Sequence, residues 1–394
     1  VTYLVQRYAR GGRGSIPDAA IRSGRAGYAP HVADMTIREV AQRPGPFASL
    51  YIDAQHDTED AEQQRTLRWR ALAERLEAAG ATDRMIESLA AAVTGSPPEP
   101  GRAGRVLIAD SERVLIDRRL PRRVQPEIVR VSPLPYLLPL IECETEEVPH
   151  AVAVVDKVGS ELYGVDDEGK VVGETVEGEG HPVHKVRHGG GWSHLSMQRR
   201  VEETLRRNAD DIAAELKRLT ERIRARIVVL AGDVTTRAEV RRALGAVPAR
   251  VVEVESGGRA AGTDTGGFDA EVRELVTAEA HEVQKEAIAR FDQARGRDDG
   301  PAVAGLSATV SALLAANTEN LLIDASTLGD RTVRLDPEPV RDPAALGALS
   351  ETSAQSCRAD EALPVGVLVR GGTITPVDAE TPLSEGVGAL LRHT

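Results

Sequence analysis

Residues 187–200 read RHGGGWSHLSMQRR. Three consecutive glycines remove side-chain chemistry and backbone preference, so the chain there can approach another surface closely and expose its amide donors. One of only two tryptophans follows directly. Behind it, SMQRRVEETLRRNADDIAAELKRLTERIRAR (196–226) places Val201, Leu205, Ile212, Leu216, Leu219 and Ile223 mostly three or four residues apart. That spacing predicts one long helix with a single apolar face. Upstream, AVAVVDKVGSELYGVDDEGKVVGETVE (151–177) reads as a meander of strands with turns at Val-Gly and Glu-Gly. Downstream, IVVLAG (227–232), a helix over 235–245 and RVVEVES (250–256) form a strand–helix–strand unit. A Gly-rich loop, GGRAAGTDTGG (257–267), then leads into a second long helix over 268–296.

Working outward, the first 45 residues are rich in Gly and Pro and read as an arm or loosely packed entry. FASLYIDA (47–54) is a buried strand, followed by helices over 57–81 and 83–95 and a hairpin of GRVLIAD and RVLIDRRL. Beyond the second long helix, AVAGLSATVSALLAANT (302–318) reads as a helix, LLIDAS (321–326) and VGVLVRGGTITPV (365–377) as strands, and SEGVGALLRH (384–393) as a final helix. The expected fold class is α/β (α+β), with a mixed sheet and packed helices in each of three domains. These are an N-terminal domain over 1–147, a middle domain over 148–291 and a small C-terminal domain over 292–394. No repeat or low-complexity tract interrupts them.

At 394 residues with 41% apolar and 28% charged residues, the chain has the composition of a multidomain globular protein. VSPLPYLLPLI (131–141), the longest apolar candidate, is too short and proline-broken to span a bilayer, and the first residues lack the apolar region of a signal peptide. Cys143 and Cys357 form no disulfide framework, which favours a reducing, cytoplasmic location. Net charge is −12, which argues against nonspecific binding to nucleic acid. The basic residues are nevertheless clustered. Arg7, Arg10, Arg13, Arg22 and Arg25 face a single acid, Asp18, in residues 1–27. DRRLPRR (117–123) has four arginines, and residues 185–226 carry 11 Lys/Arg against 6 Asp/Glu. Such patches steer an acidic protein toward a polyanion.

Motifs for other chemistries fail on inspection. GVDDEGK (164–170) has the spacing of a phosphate loop, but Val171 follows where a hydroxyl is needed and three acids fill the loop, so a strand–turn–strand tip is expected. His181, His184, His188 and His194 match no strong zinc spacing and have no nearby cysteine. No nucleophile elbow or metalloprotease motif is present. Glu202 and Glu203 read as helix surface, and ECETEE (142–147) as a solvated linker. We therefore expect no metal, no cofactor and no catalytic residue. The 187–194 loop has different physics: an indole stacks on a base or ribose, and Lys185, Arg187 and His188 meet phosphates.

The order of meander, Gly-rich loop, long basic helix, strand–helix–strand and SGG…GGF resembles the middle domain of archaeal and eukaryotic class-1 peptide release factors and pelota-type rescue factors. Their loop reads HGRGGQS. Gly190, Gly191 and Trp192 fall on the GGQ triplet, and Ser193 on the serine after it. ESGGRAAGTDTGGF is similar to the family's later Gly-rich loop, AVAGLSATVSALLAANTENLLI to the start of its third domain, and FASLYIDA to the start of its first. The resemblance runs from about residue 46 to the end. The departures matter: the release glutamine is replaced by Trp192, and residues 57–96 contain nothing like the TASNIKS codon-reading loop.

That combination is most similar to the bacterial branch of the family, the Balon-type ribosome hibernation factors. The resemblance implies a non-enzymatic, cytoplasmic factor that occupies the A site of idle 70S ribosomes, delivered by elongation factor Tu with GTP or GDP. Its peptidyl-transferase loop would be Lys185, Arg187, His188, Gly189, Gly190, Gly191, Trp192, Ser193 and His194. Arg199, Arg200, Arg206 and Arg207 would carry rRNA contacts along the helix, and Arg7, Arg10, Arg13, Arg22 and Arg25 would face the decoding centre. Binding to 16S and 23S rRNA is implied; no DNA or membrane partner is. Two alternatives remain: a rescue or peptidyl-tRNA-hydrolysing factor that positions water with His188 or His194, and an adaptor that has left the ribosome.

Overall fold

The computed structural model describes residues 35–393 except 54–60, 96–103, 121–122, 145–147, 158, 167–170, 178–190, 258–264, 298 and 336–354. The described residues divide into two compact units. One lies within 146–281; the other combines 27–145 with 282–394.

The first unit is built on a five-stranded sheet. Its strands are β5 (His150–Asp156), β6 (Gly159–Val165), β7 (Val171–Glu177), β8 (Ile227–Gly232) and β9 (Arg250–Glu253), in the order β7-β6-β5-β8-β9. β5, β6 and β7 pair antiparallel, whereas β8 runs parallel to β5 and β9. The parallel centre explains the near-continuous apolar runs AVAVV and IVVLA, which are buried on both faces. Helix α5 (Gly191–Arg222) covers one face with α6 (Val234–Leu244). Ile212, Leu216, Leu219 and Ile223 pack there on Ala151, Ala153, Val155, Val228 and Leu230, as the helical spacing predicts. Gly164 and Val165 of the pseudo-phosphate motif lie on β6, and residues 167–170 of it lie outside the described residues; Gly164 is where α5 comes close. A Cβ there would meet Ile223 Cδ1 at 2.5 Å.

Gly232 ends β8 at φ +106°, and a Cβ on it would lie 2.0 Å from the Val155 carbonyl oxygen. Gly232→Ala therefore combines a left-handed backbone with a backbone clash. It is expected to lower stability by about 2–3 kcal/mol. A urea midpoint change worth less than about 1 kcal/mol would show that the β8–α6 turn relaxes freely.

The second unit contains two sheets. Strands β1 (Phe47–Asp53), β2 (Gly104–Ala109), β3 (Val114–Leu120) and β4 (Ile128–Ser132) form an antiparallel sheet in the order β3-β2-β1-β4. Period-two alternation splits its apolar residues between two cores. Ala48, Leu50 and Ile52 pack with Leu72 and Leu76 of α2 (Ala61–Ala78) and Met85 and Leu89 of α3 (Asp83–Gly95). Phe47 and Tyr51 face the other way, into a core shared with C-terminal residues such as Leu321, Leu363 and Val387. α1 (Ile37–Ala41), opened by a Thr36–Glu39 capping box, also packs there, with Met35 beside it. The second sheet joins β10 (Ala302–Ala304), β15 (Val387–Leu391), β11 (Thr318–Ile323) and β14 (Thr373–Pro376), with β11 and β14 parallel. β12 (Thr332–Leu335) and β13 (Gln355–Arg358) make a separate antiparallel pair. Helix α7 (Thr265–Arg295) supplies residues to both units.

Several expectations are corrected. Residues 302–318 are not one helix: they give β10, then α8 (Leu306–Leu314), then the start of β11, because Gly305 at φ +87° breaks the run. VGVLV (365–369) is not a strand but the end of helix α10 (Ala359–Val369). Ala359 through Leu368 are all buried. A helix buried all round loses its amphipathic period, and alternating valines then mimic a strand. The expected terminal helix over 384–393 is a 3-10 turn (Ser384–Gly386) and strand β15. There Gly388 leaves room for the Phe291 ring, 2.5 Å from where a Cβ would sit. Part of ECETEE is not a solvated linker, since Glu142–Glu144 close α4 (Leu138–Glu144), bury Cys143 and pair Glu144 with Arg118.

Candidate nucleic-acid interface

α5 begins at Gly191, five residues before the start that the apolar spacing predicts. Trp192, Ser193 and His194 therefore belong to its first turn rather than to a loop tip. The first turns lack the three-and-four spacing of the packed face, so periodicity misses them. Lys185, Arg187, His188, Gly189 and Gly190 lie outside the described residues, as do His181, His184 and the arm arginines Arg7, Arg10, Arg13, Arg22 and Arg25. The side chains of residues 191–202, including Trp192, Arg199 and Arg200, also lie outside them.

The backbone alone gives this end a polarity. No acid occupies the first turn of α5. Its amide groups carry roughly +0.5 elementary charge at the N-terminus, which favours an anion. Further along, Arg206 and Arg207 are exposed. Arg207 bonds Glu203 one turn back at 2.7 Å. That pair is largely exposed, so it holds Arg207 by only about 0.3–0.5 kcal/mol and yields readily to a phosphate. Arg206 makes no ion pair among the described residues. With 32 residues, α5 is a strut about 48 Å long.

The far end of α5 carries residues that sequence reading passed over. The helix closes with Ala225 N–H donating to Thr220 O (2.9 Å) and Arg224 N–H to Glu221 O (3.3 Å). This is a Schellman closure, and it puts Arg224 at φ +52°, where glycine is usual. Arg226 N–H then donates to Pro149 O, and Arg250 N–H donates to Arg226 O at 2.9 Å, so the two arginines open adjacent parallel strands. Both reach the same carboxylate, Glu279, at 4.0 and 3.4 Å. No motif marks these three arginines. Only the break in helical period near 224 and the strand starts at 227 and 250 hint that they meet.

Among the described residues no three His, Cys, Asp or Glu side chains gather to hold a metal, and no helix is long and apolar enough to cross a membrane.

A family model described as bacterial archaeo-eukaryotic release factor family 2 matches residues 149–297, the stretch from β5 through α7. The chain is thus release-factor-like in its middle portion. Two Mycobacterium tuberculosis proteins extend the match: Rv2629 of strain ATCC 25618 / H37Rv and MT2704 of strain CDC 1551 / Oshkosh. Each is 32% identical over 368 residues, covering 91% of this chain and 96% of the relative. The chain belongs to the bacterial archaeo-eukaryotic release factor family. Similar solved structures include the archaeal translation termination factor aRF1 (16% identical, 91% of this chain and 99% of that one, TM-score 0.23). The Pelota of Archaeoglobus fulgidus is also similar (16% identical, 74% and 80%, TM-score 0.32).

Proposed function

We propose that this protein is a ribosome-binding hibernation factor that occupies the A site of idle 70S ribosomes without releasing peptide. The observation that carries the reading is Trp192. By the resemblance to the release factors it stands where their release triplet has glutamine, and it lies on the first turn of a long, arginine-rich helix. An indole has one N–H donor and no acceptor, so it cannot both donate to and accept from a water as a carboxamide does. It stacks instead, and base–aromatic stacking contributes about 1–3 kcal/mol. Helical presentation fixes the Trp192 backbone, which suits a wedge better than a mobile tip. Lys185, Arg187 and His188 would meet 23S rRNA phosphates, with Arg199, Arg200, Arg206 and Arg207 following along the helix. The arm arginines Arg7, Arg10, Arg13, Arg22 and Arg25 would lie toward the 16S decoding centre. The family relationship supports delivery by elongation factor Tu with GTP or GDP, in the cytoplasm.

Sedimentation with purified vacant 70S ribosomes tests this. Wild type is expected to pellet at low salt. A Trp192→Ala/Arg187→Ala variant should bind at least tenfold more weakly, and peptidyl-tRNA should stay intact in both cases. Wild type remaining in the supernatant, even with elongation factor Tu and GTP, would sink the proposal. Peptidyl-tRNA hydrolysis abolished by changing His188 or His194 would establish the rescue reading in its place.

A further inference from the structure

We infer that the end of α5 remote from Trp192 is a second ribosomal RNA contact, with Arg224 as its phosphate-binding residue; this rests on the ribosome-binding reading above. Four helices in the described residues end in the same Schellman closure, and they differ in the residue that takes the left-handed position. After α2 it is Gly80 and after α10 it is Gly371, at φ +94° and +74°. After α8 it is Ala316, which carries the smallest side chain that can stand there. After α5 it is arginine, the longest. A left-handed backbone disfavours any residue with a Cβ, so folding alone selects glycine at this position.

Local structure does not account for the arginine. Arg224 is exposed, and its guanidinium makes no hydrogen bond or ion pair among the described residues. Favourable interaction with the negative end of the helix dipole is already provided by Arg222 in the last turn. The surroundings point outward. Arg226 and Arg250 stand at the starts of the neighbouring strands, and both reach the carboxylate of Glu279. The acid nearest in sequence, Glu221, is also exposed. Arg222, Arg224, Arg226 and Arg250 thus gather at one edge of the five-stranded sheet, in a chain whose net charge is −12. A planar guanidinium held at a fixed helix terminus suits two-pronged binding of a phosphate.

The geometry also sets a spacing. The contact would sit about 48 Å from the first turn of the same helix, so α5 would bridge two RNA surfaces as one rigid strut.

The test uses the full chain and vacant 70S ribosomes, with affinity measured over a salt series. Arg224→Gly relieves the left-handed strain and removes the charge. Its Tm should be no lower than wild type. Its Kd for ribosomes should rise about 5–10-fold, and the slope of log K against log salt should become shallower by about one. Arg224→Glu, which keeps the backbone strain, should weaken binding further. An Arg224→Gly variant with wild-type affinity and slope would overturn the inference. A loss of affinity with unchanged slope would show a contact that is not a phosphate, and would overturn it equally. If wild-type protein itself fails to bind ribosomes, the failure lies with the function proposed above rather than with Arg224.

Discussion

Arg130→Ala is expected to lower stability by about 3–5 kcal/mol at neutral pH, and by less as pH falls. Arg130 lies on β4 and its partners on α10, two elements that the sequence separates by more than two hundred residues. Its guanidinium donates to Glu361 Oε1 at 3.1 Å and to Asp360 Oδ2 at 3.0 Å, and it lies 3.4 Å from the centre of the Tyr136 ring. Both carboxylates are almost fully buried. Asp360 keeps a second cation, Arg358. Among the described residues Glu361 then keeps only the Ser132 hydroxyl, which donates to it at 2.6 Å. Burial already holds the Glu361 carboxyl above its usual range, with Arg130 opposing that shift. A carboxyl whose folded pKa is raised binds its proton more readily folded than unfolded. Its charged form therefore costs stability above the folded value, and that cost disappears as pH falls toward the unfolded value. Without Arg130 the shift grows, so the variant should lose most at pH 7 and recover part of the loss near pH 5. Urea unfolding at both values measures it. A loss that is flat with pH would mean that Glu361 does not hold the charge that makes Arg130 necessary.

Arg105→Ala should be comparably damaging, within the β3-β2-β1-β4 sheet. Arg105 on β2 and Asp117 on β3 sit diagonally across the antiparallel pair. Nε donates to Oδ1 at 2.7 Å, Nη2 to Oδ2 at 2.6 Å, and Nη2 also to the Ala92 carbonyl at 2.8 Å. The Asp117 side chain has no exposed area. Truncating the arginine strands a charge in the interior, for a loss of about 3–5 kcal/mol. An Arg105→Met/Asp117→Leu pair removes both charges and should restore most of it. If Arg105→Ala costs under about 1 kcal/mol, water reaches Asp117 and the pair is not a buried one.

What the sequence made legible follows from how local each signal is. Helix α3 and the apolar face of α5 were readable because burial on one side writes a three-to-four period into the chain, and β1 because a strand buried on both faces leaves a short, near-continuous apolar run. α10 was not, because burial on every side erases the period. β15 reads as helix because Ser384 and Glu385 imitate a helix start and Ala389, Leu390 and Leu391 are good helix formers, while the need for Gly388 shows only once the Phe291 ring is packed against it. β4 was passed over because IVRVS sits against prolines and carries Arg130, whose partners on α10 no local window contains. At the candidate interface, the glycine run and Trp192 were visible from residue type alone. Arg224, Arg226 and Arg250 were not, since a helix end and two parallel strand starts must fold before they become neighbours.

The core that joins Phe47 and Tyr51 to Leu363 and Val387 has a consequence for biosynthesis. Residues 35–144 emerge first, yet one face of their sheet lacks its covering until residues beyond 282 are made. The sheet unit of residues 146–281 emerges in the interval and closes on its own contacts. Synthesis thus leaves an unfinished apolar surface waiting while an inserted unit completes itself, a nested order that calls for chaperone protection of the earliest segment.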